Sequence, residues 1–233
     1  MFPLRDENPS FQFPFLVILI IVTNVIVFIL ETASNAPEEF INKFAVIPAV
    51  VLGKATVPGN LGWLTLITSL FLHANLVHLI INMYFLWLFG DNIEWLTGRD
   101  RFLLFYFLCG MSGNLLHIFL YPDSSIPAIG ASGAISGVMG AYVLTYPFAR
   151  IWTLITFFFF WRIVPVSALF YVGIWAVLQF VYGFQLLGTG EPGGIGYWAH
   201  IGGFLCGLLL GLLFRRRERI VFSRPSVGWR RSY

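Results

Sequence analysis

Hydroxyl, imidazole and amide side chains stand inside the apolar runs of this 233-residue chain, where polar groups are costly and usually functional. Ser132 lies in Gly130-Ala131-Ser132-Gly133, at the head of one run, and His200 in Ala199-His200-Ile201-Gly202-Gly203, at the head of another. His73, His78 and Asn82 open a third. A hydroxyl beside an imidazole is a nucleophile with its base. His78 and Asn82 are four residues apart, on one helical face. Their N–H groups, aimed at the same hydroxyl together with the Ser132 N–H, would stabilise a developing oxyanion. Other readings stand beside this one. Ser132 could be only a helix N-cap, His200 only a polar tether between helices, and His73, His78 and His200 could hold zinc. The chain has no HExxH and no carboxylate at that level, so neither a metal nor any other cofactor is expected. His117, with Asn114 in its own run, has no partner in sequence and reads as structural. Ser136 reads as packing, because Ala134 stands where a second motif would need glycine.

The elements that must position these groups follow from composition. Hydrophobic residues make up 58% of the chain and charged ones 11%, against about 25% charged in a soluble domain. A water-facing surface cannot be built from so few charges, and a disordered chain is excluded by the same numbers. A bilayer core of about 30 Å needs about 20 residues of helix. The uncharged runs then supply six spans, roughly 14–31, 74–96, 102–121, 132–146, 165–185 and 197–214. The first is expected to be an uncleaved span and not a signal peptide, since residues 1–7 carry no net positive charge. With both termini cytoplasmic, twelve Arg fall inside and only Lys43 and Lys54 outside, a strong positive-inside bias. The Arg-rich tail after the last span reads as a topology anchor touching anionic lipid, not as a nucleic-acid patch. Three parts result: a short cytoplasmic N-terminus (1–13), a six-span domain (14–214) and a basic cytoplasmic tail (215–233). Cys109 and Cys206 show no CxxC spacing and read as small packing residues.

Depth brings the reactive groups together. Ser132 lies fifteen residues before Pro147, and His200 fifteen before Arg215, in spans that run the same way. The span at 132–146 is too short for the hydrocarbon, so its N-terminus is recessed, and residues 124–131 must line a wet, protein-walled cavity. Gly203, Gly207 and Gly211 continue the face of His200, and Gly133, Gly137 and Gly140 run beside Ser132. Two such small-residue stripes let membrane helices approach closely. The long first loop (32–73) is expected to be partly helical and interfacial, the aromatic stretch 151–161 to lie in the inner interface, and the Gly-rich loop 186–196 to be mobile.

Over about 60–215 the chain resembles the rhomboid intramembrane serine proteases of the six-span bacterial type. The resemblance rests on His73-Ala74-Asn75-Leu76-Val77-His78-Leu79-Ile80-Ile81-Asn82, on Gly130-Ala131-Ser132-Gly133-Ala134, and on Ala199-His200-Ile201-Gly202-Gly203 leading to Gly207. It implies an all-α six-helix membrane bundle with a large interfacial first loop. It also implies Ser132 as nucleophile, His200 as base, His78 and Asn82 as oxyanion donors, and His73 as a structural residue above them. The Trp-Arg pair often found in the first loop of that family is absent from 32–73, which leaves the anchoring of this loop open.

The implied activity is a serine endopeptidase acting by a Ser–His dyad on membrane-protein substrates in the bilayer. No nucleic acid and no metal take part, and the expected location is a prokaryotic plasma membrane. Substrate helices are expected to carry small or helix-breaking residues at the cut. The expected gate is the fifth span, which ends in Phe180, Tyr182 and Phe184, together with the 186–196 loop. Two alternatives are a rhomboid-like pseudoprotease, which would have lost the Ser or the His, and a small transporter, which would show paired intramembrane charges or repeated halves.

Overall fold

Lipid offers the backbone no hydrogen-bond partner, so apolar runs of this length close their own bonds as helices. A computed structural model of the chain describes residues 1–8, 12–157, 160–188 and 193–215. The tail beyond Arg215 and the middle of the Gly-rich loop therefore lie outside the described residues. Strand β1 (Phe2–Asp6) is followed by helix α1 (Phe15–Thr32). The first loop holds α2 (Pro37–Phe44), α3 (Pro48–Val51) and α4 (Thr65–Thr68), with a 3-10 turn on either side of α4. Then come α5 (Leu76–Thr97), α6 (Arg99–Leu120), α7 (Ser132–Thr145), β2 (Arg150–Phe157), β3 (Phe160–Ser167), α8 (Ala168–Leu187) and α9 (Tyr197–Phe214). Among the described residues five helices (α1, α5, α6, α8 and α9) are long and apolar enough to cross a membrane, and α7 is shorter. The expected helical bundle is present, its six long elements within about three residues of their expected bounds.

Helix α7 is the centre of the bundle. Eleven of its fourteen residues are buried, and it packs on α5, α6, α8 and, most closely, α9. The glycine stripes make that closeness possible. A Cβ at Gly203 would run into the carbonyl of Gly133, and one at Gly207 into that of Gly137. At Gly113 on α6, a Cβ would meet the carbonyl of Ala199. Helix α1 stands at the side, and its first turn is capped from outside: Leu16 and Val17 donate their N–H groups to the buried Glu94 carboxylate at 3.2 and 3.0 Å.

The first loop is anchored mainly through its backbone. Val46 and Ala128 exchange N–H···O bonds of 3.1 and 2.7 Å, tying the loop to the segment before α7. Gly130 N–H donates to Ser69 O at 2.9 Å, and Asn114 of α6 donates to Leu66 O and Ser69 Oγ, both at 3.0 Å. These bonds, with the Lys54–Asp123 ion pair at 2.7 Å, hold a loop whose sequence has no Trp-Arg pair.

A three-stranded antiparallel sheet in the order β1-β2-β3 is an addition that the all-helical reading omits. Within the aromatic stretch 151–161, residues 151–157 belong to β2 and 160–161 begin β3. Its alternation of Ile, Trp, Thr and Leu suits a pleated, half-buried strand. Both edge strands carry a proline, Pro3 in β1 and Pro165 in β3, where a missing N–H costs no ladder bond. The sheet is joined to the bundle: Asp6 accepts from Tyr142 of α7 at 2.8 Å and from Asn92 of α5 at 3.1 Å, and Pro3 O accepts from Tyr84 at 2.7 Å.

Candidate active site

Ala131, not Ser132, holds the N-cap position of α7. Ser132 is the first helical residue, and its Oγ lies 2.8 Å from Nε2 of His200, in the first turn of α9. The Ser132 hydroxyl therefore caps no helix, and the imidazole ties α9 to α7 through that hydroxyl at the helix N-terminus. Ser136, one turn below, donates to Ser132 O at 2.6 Å, so its hydroxyl is spent on the helix itself.

Ser132 and His200 open onto a cavity of about 550 Å³. His78, Asn82, Gly130 and His117 share its wall, Phe85, Ile135, Met139 and Trp175 form an apolar part of the lining, and Gly193–Gly196 border it from the loop before α9. Gly130 has φ +124°, a conformation that disfavours a side chain, and a Cβ there would come within 2.9 Å of the His78 ring. Glycine thus lets the backbone before Ser132 lie against His78. Asn82 donates one amide hydrogen to His78 O at 2.9 Å and retains a second. At the cavity head, the first-turn N–H groups of α7 have no acceptor within the helix. The arrangement can place a hydroxyl, a base and several N–H donors around one carbonyl.

His73 does not line the cavity. It is fully buried, its ring stands edge-on to that of His78 at 5.0 Å, and its backbone N–H donates to the Glu31 carboxylate at 3.4 Å. The acidic side chain nearest the outer end of α1 is therefore engaged at His73 and not at His200. Among the described residues no three His, Cys, Asp or Glu side chains gather around a point that could hold a metal ion. Gly133, Gly203 and Gly207 lie in the contact between α7 and α9.

Two residues beside His200 escaped the sequence reading. Gln179 of α8 brings Oε1 to 2.8 Å from His200 Nδ1, and Trp175, one turn earlier, lies over the imidazole at 6.1 Å and 33°. A Gln inside an apolar span was the available signal for the first. The expected gate, α8, leans on α9 and α7 rather than on α5. Its outer aromatics meet the first turn of α9, Tyr182 against Tyr197 at 5.6 Å and Phe184 against Trp198 at 5.1 Å.

Comparison with known proteins places this sequence in a family. The Rhomboid domain matches residues 60–217, the part that carries the cavity and every residue named around it. RHOMBOID-like protein 4 of Arabidopsis thaliana is 31% identical over 242 residues, covering 93% of this chain and 55% of that protein. RHOMBOID-like protein 6, mitochondrial, of the same plant is 32% identical over 177 residues, 76% of this chain and 49% of the relative. Rhomboid protease GluP of Bacillus subtilis is 31% identical over 150 residues, 64% of this chain and 26% of the relative. The chain spans about half the length of the two plant relatives and less of the bacterial one.

Proposed function

This chain belongs to the rhomboid family, and from that premise we propose that it is an intramembrane serine endopeptidase using Ser132 as nucleophile and His200 as base. The observation that carries the reading is the 2.8 Å approach of Ser132 Oγ to His200 Nε2 at the head of a cavity inside a multi-pass helical bundle. Relatives named as proteases support hydrolysis in general.

The chemistry follows from the atoms. Ser132 Oγ attacks a peptide carbonyl carbon as its proton passes to His200 Nε2. The carbonyl oxygen takes the negative charge and meets N–H donors from Ser132, His78 and Asn82. The C–N bond then breaks, and the amine leaves with the proton from His200. Water, activated by the same imidazole, hydrolyses the acyl-serine ester and restores the hydroxyl. A peptide bond within a helix has its carbonyl occupied. Substrates therefore unwind before the cut, which favours transmembrane segments with small or helix-breaking residues there. Such a segment reaches the cavity beside α8.

The same reading puts the protein in a prokaryotic plasma membrane with both termini cytoplasmic. The distribution of arginines supports the orientation, and a relative from B. subtilis supports a bacterial setting, alongside others named as mitochondrial. The test of the function is cleavage of a reporter membrane protein by purified enzyme. Ser132→Ala and His200→Ala are expected to be inactive yet folded, and Ser136→Ala to keep most activity. A Ser132→Ala protein that still cuts the reporter removes the proposal.

A further inference from the structure

A base that accepts the Ser132 proton at Nε2 must carry its own hydrogen at Nδ1. Neutral imidazole has one of each, and the partner at the far nitrogen decides which. Here that partner is an amide oxygen. Gln179 Oε1 lies 2.8 Å from His200 Nδ1, and a carbonyl oxygen can only accept. With Nδ1–H donating to Gln179, Nε2 is left with its lone pair toward Ser132. Ser132, His200 and Gln179 thus form one line of hydrogen bonds across α7, α9 and α8.

Gln179 is held to this task by its surroundings. Most of α8 faces outward with large apolar side chains such as Phe170, Val177 and Phe184. Its buried stripe is Ala168, Val172, Gln179 and Gly183, and Gln179 is the polar member. One turn further on, Gly183 O accepts from Trp198 Nε1 at 3.1 Å, and a Cβ at Gly183 would come within 3.2 Å of the Trp198 ring. A buried amide in a lipid-facing helix is expensive unless paired, and its carbonyl is paired with the imidazole.

We propose that Gln179 is a positioning residue that selects the His200 tautomer able to accept the Ser132 proton, a neutral counterpart of the third member of a soluble serine-protease triad. The proposal rests on His200 acting as the base. Wrong-tautomer imidazole in a soluble triad costs about 10⁴ in kcat. The loss here is smaller, because an imidazole freed of its amide partner still populates both tautomers.

The experiment compares wild type with Gln179→Leu and Gln179→Glu, measuring kcat, KM and the pH dependence of reporter cleavage, together with imidazole ¹⁵N shifts of His200 in detergent. Gln179→Leu is expected to lower kcat roughly tenfold or more at similar KM, and to raise the population of His200 protonated at Nε2. Gln179→Glu keeps the acceptor and adds a charge. It is expected to retain activity and to move the acidic limb of the pH profile upward by about one pH unit. If Gln179→Leu leaves kcat and the nitrogen shifts as in wild type, the proposal is overturned. It is equally overturned if both variants lose melting temperature and activity together while the acidic limb and the nitrogen shifts stay fixed, because Gln179 is then only a packing residue. Failure of the wild type itself to cleave would count against the serine-protease reading, whereas the nitrogen shifts test the tautomer without turnover.

Discussion

Gly207 of α9 rests directly on the backbone of Gly137 of α7, so that even a single Cβ at 207 would overlap the Gly137 carbonyl. Gly203 stands in the same relation to Gly133, one turn nearer the cavity. Backbone cannot yield as a flexible side chain does. Gly207→Val is therefore expected to force the two helices apart, at about 1–3 kcal/mol or more. Because a displacement of 1 Å between reacting groups costs about 10² in rate, turnover is expected to fall with the melting temperature. Gly207→Ala is expected to show the same losses in milder form. Gly173→Ala on α8, where a Cβ meets nothing within 4 Å, is the control and is expected to be neutral or slightly stabilising. Melting curves and reporter cleavage for the three variants check this, and a normal Gly207→Val protein would show that the stripe does not hold the site together.

Asn82 presents an amide to the cavity while bonding the His78 carbonyl. Asn82→Ala is expected to lower kcat by roughly 10²–10³, the cost of one lost oxyanion donor, with KM little changed. A rise in KM at unchanged kcat would instead assign Asn82 to substrate binding. Chelators are expected to leave cleavage untouched, and inhibition by EDTA that zinc reverses would contradict the hydroxyl mechanism.

Asp6 gives a pH dependence of stability that is separate from catalysis. Burial in the contact between β1 and the bundle pushes its carboxyl up to about 6, opposed by the Tyr142 hydroxyl and assisted by the nearby Asp91 carboxylate. The folded state thus keeps a proton that the unfolded chain releases near its ordinary value of 3.8. The stability this carboxyl contributes is fully present below the unfolded value and is lost as pH rises through about 6. Wild type is expected to lose melting temperature between about pH 4 and pH 7, and Asp6→Asn to lose less of it over the same range. Identical profiles for the two proteins would remove Asp6 from the account.

The parts of this structure that were legible in the sequence are those that the membrane dictates. Lipid requires long apolar runs, so charges such as Glu31, Arg99 and Arg215 mark the helix ends within a few residues. Ser132 and His200 could be set at one depth because each is counted from a sharp stop, Pro147 or Arg215. What was not legible depends on pairings distant in sequence. Strand β1 bonds to β2 across some 150 residues, and the register from Phe2↔Leu154 to Asp6↔Ile151 has no local signature. The anchoring of the first loop is backbone to backbone at Val46 and Ala128, where side-chain identity carries little information. Gln179 names no partner by itself, and only the crossing of α8 and α9 brings its amide to the far side of His200.

The account turns on whether the Ser132 hydroxyl is activated by His200, and a fluorophosphonate probe reads that directly, with no need for a known substrate. Purified wild-type protein is expected to take up the probe on a single serine, identified by mass spectrometry as Ser132, while Ser132→Ala and His200→Ala remain unlabelled under the same conditions. Both variants must melt as cooperatively as wild type for the comparison to hold. Labelling of the wild type at Ser136 or elsewhere, labelling of His200→Ala at the wild-type rate, or no labelling of folded wild type at all would contradict the mechanism.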